Sequence, residues 1–359
     1  MAYTARFNFI GEPLISRKSD DSFVRRWTGG KSNKSQMASM RFGVKESKTN
    51  SIWVECFGMT YDSIKTMRDD GERIEIPWED RLDESIVESV PNYRKYIAEF
   101  DEGEKQFLSK YDFIAYLEEK LPEYKGNIFC SGRYRKSPWK GEVYDQYDID
   151  VVRATTAEKG SLHVKMDLFY NKDCVDKSDF ADKKRIIVDG FISQYINKDE
   201  GEKYFPQRVV LDVSKFDDSE QHQKYAKMLL MDVDIKSDEM VHLTWDCKVI
   251  RGAETVEFDE DMLTERQKQQ IECGMATIDD FAKPIGENIY ELRFFKQLLN
   301  GDFVDGPVES GFSYEELQEQ LYMQPDADVS MKDIEKAAAK KDEANDDDLS
   351  DSTLEDLLG

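Results

Sequence analysis

Between Arg17 and Lys48 there are nine basic residues, at positions 17, 18, 25, 26, 31, 34, 41, 45 and 48, against three acidic ones, Asp20, Asp21 and Glu46. The segment carries +6 in a chain whose formal charge is -25. A polyanion responds to such a local concentration of Lys and Arg more than to the distant sum, because charges beyond about 10 Å are largely screened. Aromatic residues are interleaved with these cations. In ASMRFGVKE, Ala38, Met40, Phe42 and Val44 alternate with Ser39, Arg41, Gly43 and Lys45, the period of a strand with one buried face. In SIWVECFG, Ile52, Val54 and Cys56 share one face, and Trp53, Glu55 and Phe57 the other. With Thr49 and Asn50 as the turn, the two runs predict a hairpin that directs Arg41 and Lys45 outward beside Trp53 and Phe57. Cations for phosphates and flat rings for bases are what unpaired nucleic acid requires, since stacking a base on an aromatic ring is worth about 1–3 kcal/mol. Duplex DNA hides those faces.

A second cluster repeats the combination. GRYRKSPWKG sets Arg133, Arg135, Lys136 and Lys140 around Tyr134 and Trp139 with no acid among them, which predicts a basic, aromatic hairpin tip. Arg25, Arg26, Lys31 and Lys34 belong to the first cluster, and Trp27, between Arg26 and the pair Gly29 and Gly30, is a further stacking candidate. The competing reading of both clusters is a solvated face, with Tyr134 and Trp139 packed on their own domain.

Catalytic readings find less support. His163, His222 and His242 sit in unrelated segments without ligand spacing, and no GxxxxGK[ST], HExxH or GxSxG occurs. Asp232, Asp234 and Asp238 in MDVDIKSDE have the chemistry for Mg²⁺, but a chain with 75 acidic residues produces such clusters by chance. The expectation is a protein that is not an enzyme and holds no metal or cofactor. Five scattered cysteines without a CxxC pair, no apolar run of about 18 residues and no signal-peptide pattern predict a reduced, cytoplasmic protein without a membrane segment.

The elements that would position these residues are mainly strands. KYDFIAYLEEKL, with Phe113, Leu117 and Leu121 four apart, predicts a helix, and residues 60–110 read as an insertion before it. GNIFCSGRYRKSPWKGEVYDQYDIDVVRA reads as two strands joined by a basic turn around Lys136 to Lys140. RIIVDGFISQYINKDEGEKYFPQRVVLDVSKF echoes it, Gly190 standing for Gly132. LHVKMDLFY and MVHLTWDCKVI add strands, with a helix between at residues 217–231. Two domains on one plan follow, over residues 1–157 and 160–256. DEDMLTERQKQQIECG, ENIYELRFFKQLL and SYEELQEQLYM predict a helical segment over 257–323. From 324 to 359 hydrophobic residues thin out and the last 18 positions carry eight side-chain carboxylates and no Lys or Arg, so a disordered tail is expected.

The order FNFIGEP, basic loop, ASMRFGV, SIWVECFG, YLEEKL and GNIFCSGRYRKSPWKGEVYDQYDIDVV resembles the OB-fold of bacterial and phage single-stranded DNA-binding proteins over residues 5–155. The resemblance implies two OB-fold-like β-barrel domains, mainly β with α additions, followed by a helical segment and an acidic tail. It implies stacking by Trp53 and Phe57, phosphate contacts from the loop and hairpin cations, and sequence-independent binding of single-stranded DNA in replication, recombination or repair. It also implies a tail that competes with DNA and docks on replication or recombination proteins, here through Asp346, Asp347, Asp348, Leu354, Glu355, Asp356, Leu357 and Leu358. The closing segment DDDLSDSTLEDLLG lacks the proline and terminal phenylalanine common in that family's tails. The alternative is an adaptor that docks proteins without touching DNA.

Overall fold

Phe7 and Phe9 are fully buried while Arg6, Asn8 and Ile10 lie on the other face of the first strand, the alternation of a chain half sunk in a core. That strand, β1 (Arg6–Leu14), opens an architecture of mainly β-structure with a few helices. The structure, a computed structural model, describes residues 5–15, 23–29, 35–139, 142–198, 200–214, 219–236, 238–255, 263–273, 275, 284–297 and 306–322. The tail from 324 to 359, with all eight docking candidates, lies outside the described residues, as do Lys31, Lys34 and Lys140. Among the described residues no helix is long and apolar enough to cross a membrane.

After β1 come the antiparallel strands β2 (Val24–Gly29), β3 (Ser35–Lys45) and β4 (Ser51–Met59), the last two forming the predicted hairpin. The insertion is folded. It consists of the two-stranded sheet β5 (Ser63–Met67) and β6 (Arg73–Pro77), helix α1 (Glu84–Glu88), and the hairpin β7 (Tyr96–Phe100) and β8 (Gly103–Phe107). Helix α2 (Lys110–Lys120) buries Phe113, Ile114, Leu117 and the following Leu121. Ser109 caps it, accepting from the amides of Tyr111 and Asp112 at 3.1 and 3.3 Å. The long strands β9 (Ile128–Trp139) and β10 (Glu142–Ala154) complete this half. Their pairings close a ring: β1 on β3, β3 on β4, β4 parallel to β10, β10 on β9, and β9 back on β1.

The second half repeats that circuit. β11 (Ser161–Tyr170) is followed by the two-residue β12 (Val175–Asp176) and helix α3 (Phe180–Lys183). Then come β13 (Arg185–Tyr195), β14 (Glu202–Asp212), helix α4 (Glu220–Asp232), β15 (Glu239–Thr255), helix α5 (Glu265–Glu272) and β16 (Pro284–Gln297). β11 pairs with β13, β13 with β14, β14 runs parallel to β16, and β16 on β15 leads back to β11. In both rings a helix separates the third strand from the fourth, and the third and fifth strands are parallel.

This ring corrects three expectations. ENIYELRFFKQLL lies mostly in a strand, because its alternation buries Leu292 and half-buries Phe294 while β14 and β15 supply ladder partners on both edges. The second unit therefore runs past 256 to at least Gln297, and among the described residues of the expected helical segment 257–323 the helices are α5 and the short α6 (Tyr314–Glu319). Third, β13 and β14 are the second and third strands of their ring, so they correspond to β3 and β4 rather than to β9 and β10. Gly190 is thus not the counterpart of Gly132.

The rings join edge to edge. Arg6 to Ile10 of β1 pair antiparallel with Lys165 to Ser161 of β11. Two side-chain amides clamp the joint in matching ways. Asn50, in the β3–β4 turn, donates to Val249 O at 3.0 Å and accepts from Arg251 N at 2.8 Å. Gln194, near the end of β13, accepts from Lys136 N at 2.9 Å and donates to Lys136 O at 3.2 Å. Gly252 permits the first contact: its φ of +145° favours glycine, and a Cβ there would stand 1.6 Å from Thr49 O. Asn50→Ala is expected to destabilise the chain by about 1–3 kcal/mol in urea unfolding, since it leaves a buried carbonyl and amide without their partners.

Residues 306–322 pack back on the second ring. β17 (Val308–Ser313) pairs with β15, and α6 follows it. Phe312 lies against Phe169 and Tyr204 at 5.8 and 5.6 Å between ring centres, and Tyr314 against Phe191 at 5.9 Å.

Candidate nucleic-acid interface

The outer face of β2, β3 and β4 carries the cations and rings that the alternation predicts. Arg41 is exposed, with its guanidinium carbon 5.5 Å from the centre of the half-buried Trp53 ring. Phe57, also half-buried, lies 5.9 Å from Trp27, which is 37% exposed. Cross-strand register produces this arrangement. Gly43 stands opposite Trp53, Ser39 opposite Phe57 and Arg25, and Met37 opposite Trp27, so small residues and a flexible thioether lie between the rings. Arg25 is exposed on the same strand as Trp27. Glu55, opposite Arg41, is the acid on this face, and desolvation raises its carboxyl above the usual range.

Other members of the predicted set are engaged elsewhere. Lys45 pairs with Glu12 at 3.2 Å, and Arg26 bonds Glu118 at 2.5 Å across the face of Tyr111. Trp139 ends β9, and its side chain lies outside the described residues. Two assignments are overturned. Tyr134 is 2% exposed, its hydroxyl donating to Asp145 at 2.5 Å beside Gln207, and so presents no face to a base. Lys136 is 8% exposed and its ammonium is paired with Asp145 at 2.6 Å. The physical reason is the hairpin register, which sets Asp145 of β10 directly opposite Lys136. Asp145 also accepts from the Tyr290 hydroxyl, itself 2.9 Å from that of Tyr147. This end of the second cluster therefore seals the joint between the rings.

Arg133 and Arg135 face away from the joint, and Arg133 reaches a cavity that sequence reasoning missed. The cavity holds about 710 Å³ between the first strand ring and the insertion. Arg6 and Arg133 line its strand-ring side, Tyr61, Lys65, Tyr93 and Arg94 its insertion side, and Phe57 connects it with the aromatic face of β4. Lys110, from α2, contributes an ammonium bonded to Asp148 and 3.9 Å from Asp150; Arg133 bonds the other Asp148 oxygen at 3.0 Å. Asp150 is the acid among the lining residues, and burial raises its carboxyl as well. One signal for the insertion was present in the sequence: Tyr93-Arg94-Lys95 repeats the tripeptide Tyr134-Arg135-Lys136.

The equivalent face of the second ring has a different character. Arg208 makes a bidentate pair with Asp189 at 2.6 and 2.9 Å, and Arg185 bonds Glu291 at 2.5 Å. Lys183 pairs with Asp179 at 3.0 Å. Phe191 and Tyr204 are buried, with Tyr314 and Phe312 packed on them, while Tyr195 remains exposed.

The histidines have separate settings: His163 bonds Asp246 at 2.9 Å, His242 lies against Phe169, and His222 is in the first turn of α4, its amide donating to the capping Ser219. Among the described residues no group of three or more His, Cys, Asp or Glu side chains could hold a metal ion. No protein-family model matches the chain, and comparison with curated proteins finds no match.

Proposed function

We propose that the protein binds single-stranded DNA without sequence preference, through the β2–β3–β4 face of its first ring. The observation that carries this reading is an exposed cation beside accessible rings on one sheet face, Arg41 against Trp53 with Trp27 against Phe57 next to them, in a chain of net charge -25. A strongly acidic protein that holds arginines and flat rings on one open sheet face has the electrostatics for phosphates and the π-surfaces for bases. The circuit of five strands, with the first on the second and fourth and the third parallel to the fifth, supports an OB-fold for each ring. On this reading the second ring, whose corresponding face is covered and carries paired charges, has a supporting role.

On this reading the acidic tail recruits replication or recombination proteins and competes with DNA for the first ring. Its alternation of leucines and carboxylates in LSDSTLEDLL suits a short amphipathic docking element. The activity is binding without catalysis.

Fluorescence anisotropy with labelled oligo(dT) at several salt concentrations tests the proposal. Affinity should fall with salt, with a logarithmic slope of about -0.7 for each phosphate neutralised. Absence of binding at low salt, or a slope near zero, would overturn it.

A further inference from the structure

The insertion, residues 61–108, is held firmly against the barrel, so its basic and aromatic surface has a defined position. β7 runs parallel to β10, with Val151 opposite Ile97. Arg81 grips Asp112 of α2 with two bonds of 2.7 and 2.9 Å and lies 4.1 Å from the centre of the Trp78 ring. Trp78 in turn meets Tyr111 edge-on. A wall fixed in this way can be preorganised for a ligand, because little ordering remains to be done on binding.

What that wall presents is not explained by packing. Tyr93 is 77% exposed and Tyr61 is 53% exposed, both lining the cavity. An aromatic ring that leaves most of its surface in water contributes little to a core. The guanidinium of Arg94 lies 5.5 Å from the centre of the Tyr93 ring, so a cation and a flat surface again stand side by side. Beyond the cavity a second hollow of about 550 Å³ shares Lys65 and Arg94 with the first and adds Arg73. Glu75 is the acid of this second hollow, and because the two hollows adjoin through Lys65 and Arg94 the cations continue from one into the next, a succession that suits a polymer better than a compact anion.

We propose that the insertion is the second wall of the single-strand path: after Trp53 and Phe57 the strand passes between barrel and insertion, a base on Tyr93 and its phosphates on Lys65 and Arg94. This inference rests on the single-strand reading above. It extends the interface beyond the sheet face to residues on a separate lobe, and it gives the chain a footprint longer than the barrel face alone.

The test uses the full chain carrying Lys65→Ala, Tyr93→Ala and Arg94→Ala together, three exposed side chains whose removal should leave the thermal melt unchanged. Labelled oligo(dT) of about 6 and about 16 nucleotides, the range one such barrel spans, is titrated with each protein. For the longer strand, affinity should fall by about tenfold or more, from one lost stack and two lost phosphate contacts. The salt slope should shrink by about 1.4. Affinity for the shorter strand should stay within about twofold, a difference of roughly 0.4 kcal/mol. Unchanged binding of the longer strand, or equal losses at both lengths, overturns the second wall. Trp53→Ala with Phe57→Ala is run beside it. If that pair loses binding while the triple variant does not, only the insertion's role fails; if the unaltered chain binds neither strand, the single-strand reading fails with it.

Discussion

Trp53→Ala combined with Phe57→Ala is expected to weaken oligo(dT) binding by about two to four orders of magnitude, because each stacked base contributes about 1–3 kcal/mol. The same protein should melt close to the unaltered chain. Both rings are half-buried on the outer face of β4, whereas the core face of that strand is formed by Ile52, Val54 and Cys56, all fully or nearly fully buried. Removing the rings deletes little core packing, although Trp27 loses its neighbour Phe57 and Arg41 loses Trp53. Arg41→Ala should act differently, lowering affinity by a smaller factor and reducing the salt slope by about 0.7, the signature of one phosphate contact. Anisotropy at several salt concentrations separates the two effects. If the double aromatic variant binds as tightly as the unaltered chain, stacking on this face is wrong whatever the charge does.

Asp145→Ala is expected to cost about 3–5 kcal/mol of folding stability, read as a shift in urea unfolding. Its carboxylate accepts from Tyr134 and Tyr290 and neutralises Lys136, all at the joint between the two rings. Truncation leaves the Lys136 ammonium, 8% exposed, without its counter-charge, while the Tyr134 hydroxyl keeps Gln207 at 2.6 Å and the Tyr290 hydroxyl keeps that of Tyr147 at 2.9 Å. Burial raises the Tyr134 phenol well above its usual range, so it does not ionise to compensate for the missing charge. Asp145→Asn should recover part of the loss by keeping an acceptor for the hydroxyls, but not the charge for Lys136. A change within about 0.5 kcal/mol for Asp145→Ala, the range of an ordinary surface substitution, would show that the joint does not depend on this cluster.

The local pattern was legible where side-chain alternation alone decides the outcome. Arg41, Trp53 and Phe57 were placed on one face by a period of two, and the structure puts them there because the opposite positions, Phe42, Val44, Ile52 and Val54, have no alternative to the core. The helix over α2 followed equally directly from its Phe113, Leu117 and Leu121 stripe. Tyr134 and Lys136 failed for an identifiable reason. Inspecting the hairpin tip from Gly132 to Gly141 finds no acid, yet the register of β10 brings in Asp145, which belongs to the other strand. The long run at β16 failed because a helix and a strand are hard to distinguish in a mixed apolar and charged segment, and the choice was made by ladder partners on β14 and β15 far away in sequence.

The sequence by itself determined which residues seek the core and which strand faces present cations and rings. Those properties depend on neighbours within a few positions and on charge counts. Only the tertiary structure decided which of the cations remain available, that the second unit runs past 256, and that the insertion stands across a basic cavity from the first strand ring. These outcomes depend on contacts between residues tens to more than a hundred positions apart, such as Asn50 with Val249 and Arg81 with Asp112, which no local period encodes. The same physics separates the two rings. Identical strand order leaves the face of β3 and β4 open in one, while residues 306–322 and the pairs of Arg185 and Arg208 cover and neutralise its counterpart in the other.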